Sequence, residues 1–155
     1  METGPALMQT TRPADARRLA RAAFEEIRAA SPRLQMVIDE APTQVDLALT
    51  IPEQPGIDFA LELNLQGDEL HLSAGAFWLR WFPSDNDVVV AAFRTAVMGL
   101  LQGDYRIVEY SAGGRVFRAE LERAVGGAWE SIGVSTRHWN LLRCRLTARV
   151  LWNRV

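Results

Sequence analysis

With 155 residues, 48% of them hydrophobic and 23% charged, the chain has the size and balance of one globular domain. A chain of this length hides roughly 68–70% of its unfolded surface, enough for a core without covalent staples. Its formal charge of −2 provides no overall field toward nucleic acid or membrane, and its one cysteine, Cys144, excludes an intrachain disulfide scaffold and a multi-cysteine metal site.

The longest strictly apolar run, Val88 to Phe93, falls far short of the roughly twenty residues a spanning helix needs. Residues 1–12 lack the apolar stretch of about 7–15 residues found in a signal peptide. They are expected to form a flexible tail ahead of a single α+β domain over 13–155, in the cytoplasm. All 17 basic residues are arginine, which fits the coding bias of a GC-rich, bacterial genome.

From Pro13 to Ala30, the residues Leu19, Ala20, Ala23, Phe24 and Ile27 form one helical stripe. Pro13 suits a first helical turn, and Pro32 disfavours helix at Ser31. Alternation then predicts strands around Leu34–Ile38 and Val45–Ile51. Gly67-Asp68 reads as a two-residue turn that pairs Leu65 with Leu70, Leu63 with Leu72, Leu61 with Ala74, Phe59 with Ala76 and Ile57 with Trp78. That register puts the apolar residues on one face and Asp58, Glu62, Asn64, His71 and Ser73 on the other. A second helix follows, capped by Ser84 with Asp87, carrying Val89, Ala92, Phe93, Ala96, Val97 and Leu100 on one stripe and stopping at Gly103.

Gly113-Gly114 predicts another hairpin, with Tyr110 opposite Phe117, Glu109 opposite Arg118 and Val108 opposite Ala119. A strand around Trp129–Thr136 comes next. The last segment, 142–152, alternates as a strand but also carries helix-favouring residues, and strand is preferred. The fold expected is α+β: an antiparallel sheet of about six to eight strands with two amphipathic helices packed on one face, in the order α-β4-α-β3/4.

Three groups of side chains are candidates for function. In the aromatic run Phe77-Trp78-Leu79-Arg80-Trp81-Phe82, unbroken alternation turns Trp78 and Phe82 toward the helices and Phe77, Leu79 and Trp81 outward, an apolar patch of a kind monomers seldom leave bare. Cover by the chain's own loops, a twin subunit, a foreign partner or a small molecule would each account for it, and a bulge near Gly75 would re-aim the side chains. His71 lies across from Asn64 and diagonally from Glu62, a polar cluster with part of a general-base arrangement but no nucleophile placed beside it. From Arg137 onward there are five arginines and no acid; Arg143, Arg145 and Arg149 would share one strand face and suit phosphate, with Trp139 or Trp152 near enough to stack on bases. Pairing of these arginines with Asp58, Glu62, Glu120 and Glu122 is the plainer reading of the same row.

His138 and Cys144 supply two ligands where a metal wants three or four, and no phosphate loop, dinucleotide fingerprint or nucleophile elbow is present. No cofactor and no metal are expected. The function expected is a non-catalytic protein-binding domain that uses Phe77, Leu79 and Trp81 to self-associate as a homodimer or, alternatively, to bind another protein. One alternative is a small-molecule binding protein or enzyme with a site near His71. The other is a phosphate or nucleic-acid binder using the C-terminal arginine row, the less expected partner; a membrane is not expected.

Overall fold

The computed structural model describes residues 13–137 and 145–153. The expected tail, 1–12, lies outside them, as do His138, Trp139, Arg143 and Cys144. Helix α1 (Pro13–Ala30) has the predicted bounds and buries Ala16, Ala20, Ala23, Phe24 and Ile27, with Leu19 partly buried beside them. Five strands follow: β1 (Val37–Asp39), β2 (Leu47–Ile51), β3 (Leu61–Gln66), β4 (Glu69–Ala74) and β5 (Phe77–Trp81). They form one antiparallel sheet in sequence order.

The hairpin register about Gly67-Asp68 is the predicted one where β3 and β4 pair, with Leu65 opposite Leu70, Leu63 opposite Leu72 and Asn64 opposite His71. The predicted pairing ends early, because the chain turns back at Gly75-Ala76. Gly75 takes a left-handed φ of 57°, and β5 then runs antiparallel to β4 with Ala74 opposite Phe77. A two-residue turn inverts the alternation of an unbroken strand, and this corrects the facing of the aromatic run. Phe77 is 1% exposed, and Leu79 and Trp81 pack against the core. Trp78 and Phe82 are its exposed aromatic members.

Helix α2 (Asp87–Gln102) begins later than the predicted cap. Asn86 is the N-cap, its Oδ1 accepting from Val88 N at 2.9 Å and Val89 N at 3.3 Å, while Ser84 is fully buried two residues before that cap. Both helices lie on the apolar face of the five-stranded sheet. The Phe24 and Phe93 rings meet at 6.3 Å, and Trp81 meets Phe93 edge-on at 5.3 Å. Each leucine fully withdrawn from water there contributes about 1.5–3 kcal/mol. Surface pairs such as Arg94–Glu26 between the helices are worth about 0–1 kcal/mol, so apolar contact dominates.

Beyond α2, strands β6 (Tyr105–Ala112), β7 (Arg115–Val125), β8 (Ala128–Thr136) and β9 (Leu146–Leu151) form a second antiparallel sheet in the order β8-β7-β6-β9. The α+β class and antiparallel strands are as expected. The strands described number nine, divided between sheets of five and four, where one sheet of six to eight was expected. Of the C-terminal segment 142–152, the described part is strand over Leu146–Leu151, the preferred reading, while 142–144 lie outside the described residues.

Near the Gly113-Gly114 turn, Ser111 pairs with Val116, but the next pair is Tyr110 with Arg118, so Phe117 is an extra residue in a bulge. Glu109 therefore faces Ala119, not Arg118. Ile107, Ala119, Leu121 and Leu151 of this sheet join the same buried cluster as the first sheet and the helices. Among the described residues, no helix is long and apolar enough to cross a membrane.

Candidate functional site

The outward face of the first sheet carries two rows of side chains across all five strands. One row is Asp39, Ala48, Asn64, His71 and Arg80; its neighbour is Val37, Thr50, Glu62, Ser73 and Trp78. The predicted cluster of Glu62, Asn64 and His71 is therefore on one face. Its hydrogen bonding differs from the prediction. His71 Nε2 is 2.9 Å from Glu69 Oε2, and Glu69 Oε1 accepts from Arg80 at 2.7 Å. Trp78 meets the imidazole edge-on at 5.2 Å, and His71 is only 7% exposed, not solvent-bathed. The signal for Glu69 was its position two residues before His71 on the same strand, which puts both on one face.

The hydrogen bond from His71 holds the Glu69 carboxyl below its ordinary pKa, with Arg80 acting in the same direction and burial opposing. A carboxylate with a depressed folded-state pKa stabilises the protein above its unfolded pKa, and that contribution is lost as pH falls through the folded value. Glu69→Gln is therefore expected to lose less stability than wild type on acidification below about pH 4.3. Urea midpoints between pH 6 and pH 3 check this, and parallel pH curves for the two proteins would refute it.

A pair of this kind can hold and pass a proton, yet no hydrogen bond joins Ser73, the hydroxyl two residues away on the same face, to His71. Beside it lies a recess of about 400 Å³ under residues 41–45, lined by Asp39, Thr50, Glu62 and Asn64. Among the described residues, no group of three or more histidine, cysteine or acidic side chains is arranged to hold a metal ion.

The arginine row is partly visible. Arg143 lies outside the described residues, while Arg145 and Arg149 share one face of β9. For these two, the expected pairing with acids is not found among the described residues: Glu120 pairs with Arg118 at 2.5 Å and Glu122 with Arg106 at 2.7 Å. Arg149 lies opposite Glu109, but that buried carboxylate accepts from Ala76 N at 2.6 Å, tying the two sheets together. Arg145 and Arg149 form no ion pair among the described residues. Trp152 is engaged within the fold, its indole N–H donating to Gly103 O at 2.8 Å and its ring edge-on to Trp129 at 5.4 Å.

Phe77, Leu79 and Trp81, predicted to make contacts outside the molecule, face inward. Leu79 abuts Gly133 of β8 so closely that a Cβ there would lie 2.6 Å from its Cδ2, and Leu79 and Trp81 line a crevice with Tyr105, Leu121 and Ile132.

The open surface lies on the other sheet. Among the described residues, strand β9 pairs with β6 on one side only, and its residues 146–150 are all exposed, Leu146 at 67% and Val150 at 47%. Leu146, Ala148 and Val150 share one face, and a cross-strand row on that face runs Val134, Glu120, Val108 and Val150. No family model, no curated protein and no solved structure matches this chain.

Proposed function

We propose that this chain is a non-catalytic protein-binding domain that associates with a second copy of itself, through β9 and the adjoining face of the second sheet. The supporting observation is β9 itself: an edge strand with exposed apolar side chains on one face and, among the described residues, no strand paired along its other side. Proteins usually blunt such edges with a bulge, a proline or a covering loop, because an open ladder recruits another strand. Arg145 and Arg149, on the opposite face, restrain unspecific pairing without closing the edge. The cytoplasm remains the expected compartment. The aromatic run plays no part in this reading, because its inward members are already covered.

Edge pairing through six residues covers less than the roughly 1,200–2,000 Å² of a stable interface, so the dimer is expected to be weak and concentration-dependent. Sedimentation equilibrium or light scattering over a wide protein concentration range should show monomer passing to dimer. Leu146→Glu, at a position that is exposed in the monomer, should weaken the dimer by about tenfold or more, since burying one leucine is worth about 1.5–3 kcal/mol. A monomer at every concentration would sink the proposal.

A further inference from the structure

We infer that the two copies pair β9 with β9 antiparallel, with Ala148 on the two-fold axis, so that the second sheets fuse into one eight-stranded sheet. The inference rests on the proposed self-association and specifies its register.

The first step concerns which backbone groups are free. Gly113 N donates to Arg145 O at 3.3 Å, so the carbonyl of Arg145 points toward β6. In an antiparallel ladder, both polar groups of one residue point to the same side, and successive residues alternate. Arg145, Thr147, Arg149 and Leu151 therefore spend their groups on β6, opposite Gly113, Ser111, Glu109 and Ile107. Leu146, Ala148 and Val150 direct theirs to the open edge. The three residues whose backbone groups have no partner strand among the described residues are also the apolar ones.

Charge then selects among the symmetric registers. A two-fold axis at Thr147 would set Arg145 directly opposite Arg149 of the other copy, twice over. An axis at Arg149 would set that residue against itself. Like charges directly opposite destabilise a strand pair. An axis at Ala148 avoids both, placing Arg149 opposite Thr147 and Leu146 opposite Val150. In that register each Leu146–Val150 pair exchanges backbone hydrogen bonds, as does Ala148 with its copy. Val150 already adjoins Val108, so the Val108–Val150 pair of each sheet continues across the junction into Leu146 of the other copy.

Cross-linking tests the register in a Cys144→Ser background, which removes the native thiol. Directly opposed, hydrogen-bonded residues have Cα atoms about 5.5 Å apart, within the range a disulfide spans. Ala148→Cys should therefore give a disulfide-linked dimer under mild oxidation. Thr147→Cys, offset by two residues from its own copy, lies about 8 Å from it and should cross-link at least about tenfold more slowly. Ala148→Pro gives a second readout: its N–H faces the open edge, so the fold should survive by circular dichroism while the dimer is lost. Faster cross-linking at 147 than at 148 would overturn the register. So would a dimer by light scattering in which neither cysteine cross-links, an outcome that leaves self-association through another surface standing. A protein that never dimerises removes the proposed function itself.

Discussion

Gly103→Ala is expected to lower stability by about 2–5 kcal/mol, a fall in Tm of roughly 5–15 °C for a chain of this length. Two independent costs meet at this position. Gly103 ends α2 with φ of 82°, the left-handed region where a side chain costs about 1–2 kcal/mol. A methyl group there would also sit well inside contact distance of the Asn153 carbonyl oxygen. That oxygen is backbone and cannot swing aside without moving the last strand's exit, so overpacking adds about 1–3 kcal/mol.

Gly127 separates the two costs. Its φ of 81° is nearly the same, but nothing lies within 4 Å of where its Cβ would be. Gly127→Ala should therefore show the conformational cost alone, about 1–2 kcal/mol. Denaturant midpoints for the two variants check the argument. Equal losses would mean that the close approach of Asn153 carries no energy.

The parts of the fold legible in the sequence were those governed by local contrast between faces. Helix α1 could be bounded because prolines stand at or near both ends. The Gly67-Asp68 register could be fixed because a one-residue slip would have mixed Leu63 and Leu65 with Glu62 and Asn64. The same contrast is missing around Gly75. Ala74, Ala76, Phe77, Trp78 and Leu79 are apolar on either parity, so alternation could not reveal the turn, and the facing of the whole aromatic run inverted with it. Phe117 escaped for a similar reason. Val116 and Phe117 are both apolar, and a bulge between them and Ala119 leaves no trace in the pattern.

What positions the candidate surfaces is mostly non-local, and local patterning has no access to it. The alternation of Leu146, Ala148 and Val150 predicts a strand but not that it pairs with β6, far earlier in the chain, nor that no other described strand lies along its far side. Likewise the row of His71 and Asn64 was legible from one hairpin. Arg80 and Trp78 joined that cluster only once β5 had folded back on β4. Glu109 shows the combined effect: the bulge moved it off the polar face, and tertiary contact then gave it the backbone N–H of Ala76 as partner.

The second large effect is expected at Asn153, which is 1% exposed and binds two segments distant in sequence. Its Nδ2 donates to Leu100 O at 2.9 Å, and its Oδ1 accepts from Asp58 N at 2.9 Å. Leu100 belongs to the last turn of α2, where carbonyls have no helical partner, and Asp58 lies between the buried side chains of Ile57 and Phe59. Asn153→Ala strips both groups of their partner inside the protein. At about 1–3 kcal/mol for each unsatisfied buried group, the loss should be about 2–5 kcal/mol, with faster amide exchange at Asp58. Asn153→Asp refines the test, because a carboxylate can still accept from Asp58 N but opposes the Leu100 carbonyl at the negative end of a helix. That arrangement raises the folded-state pKa of the introduced acid, so its penalty should grow as pH rises through the carboxyl range and shrink when the acid is protonated and donates to Leu100 O. An alanine variant as stable as wild type, or an aspartate variant indifferent to pH, would show that the chain's last described residues do not hold α2 to the 57–59 segment.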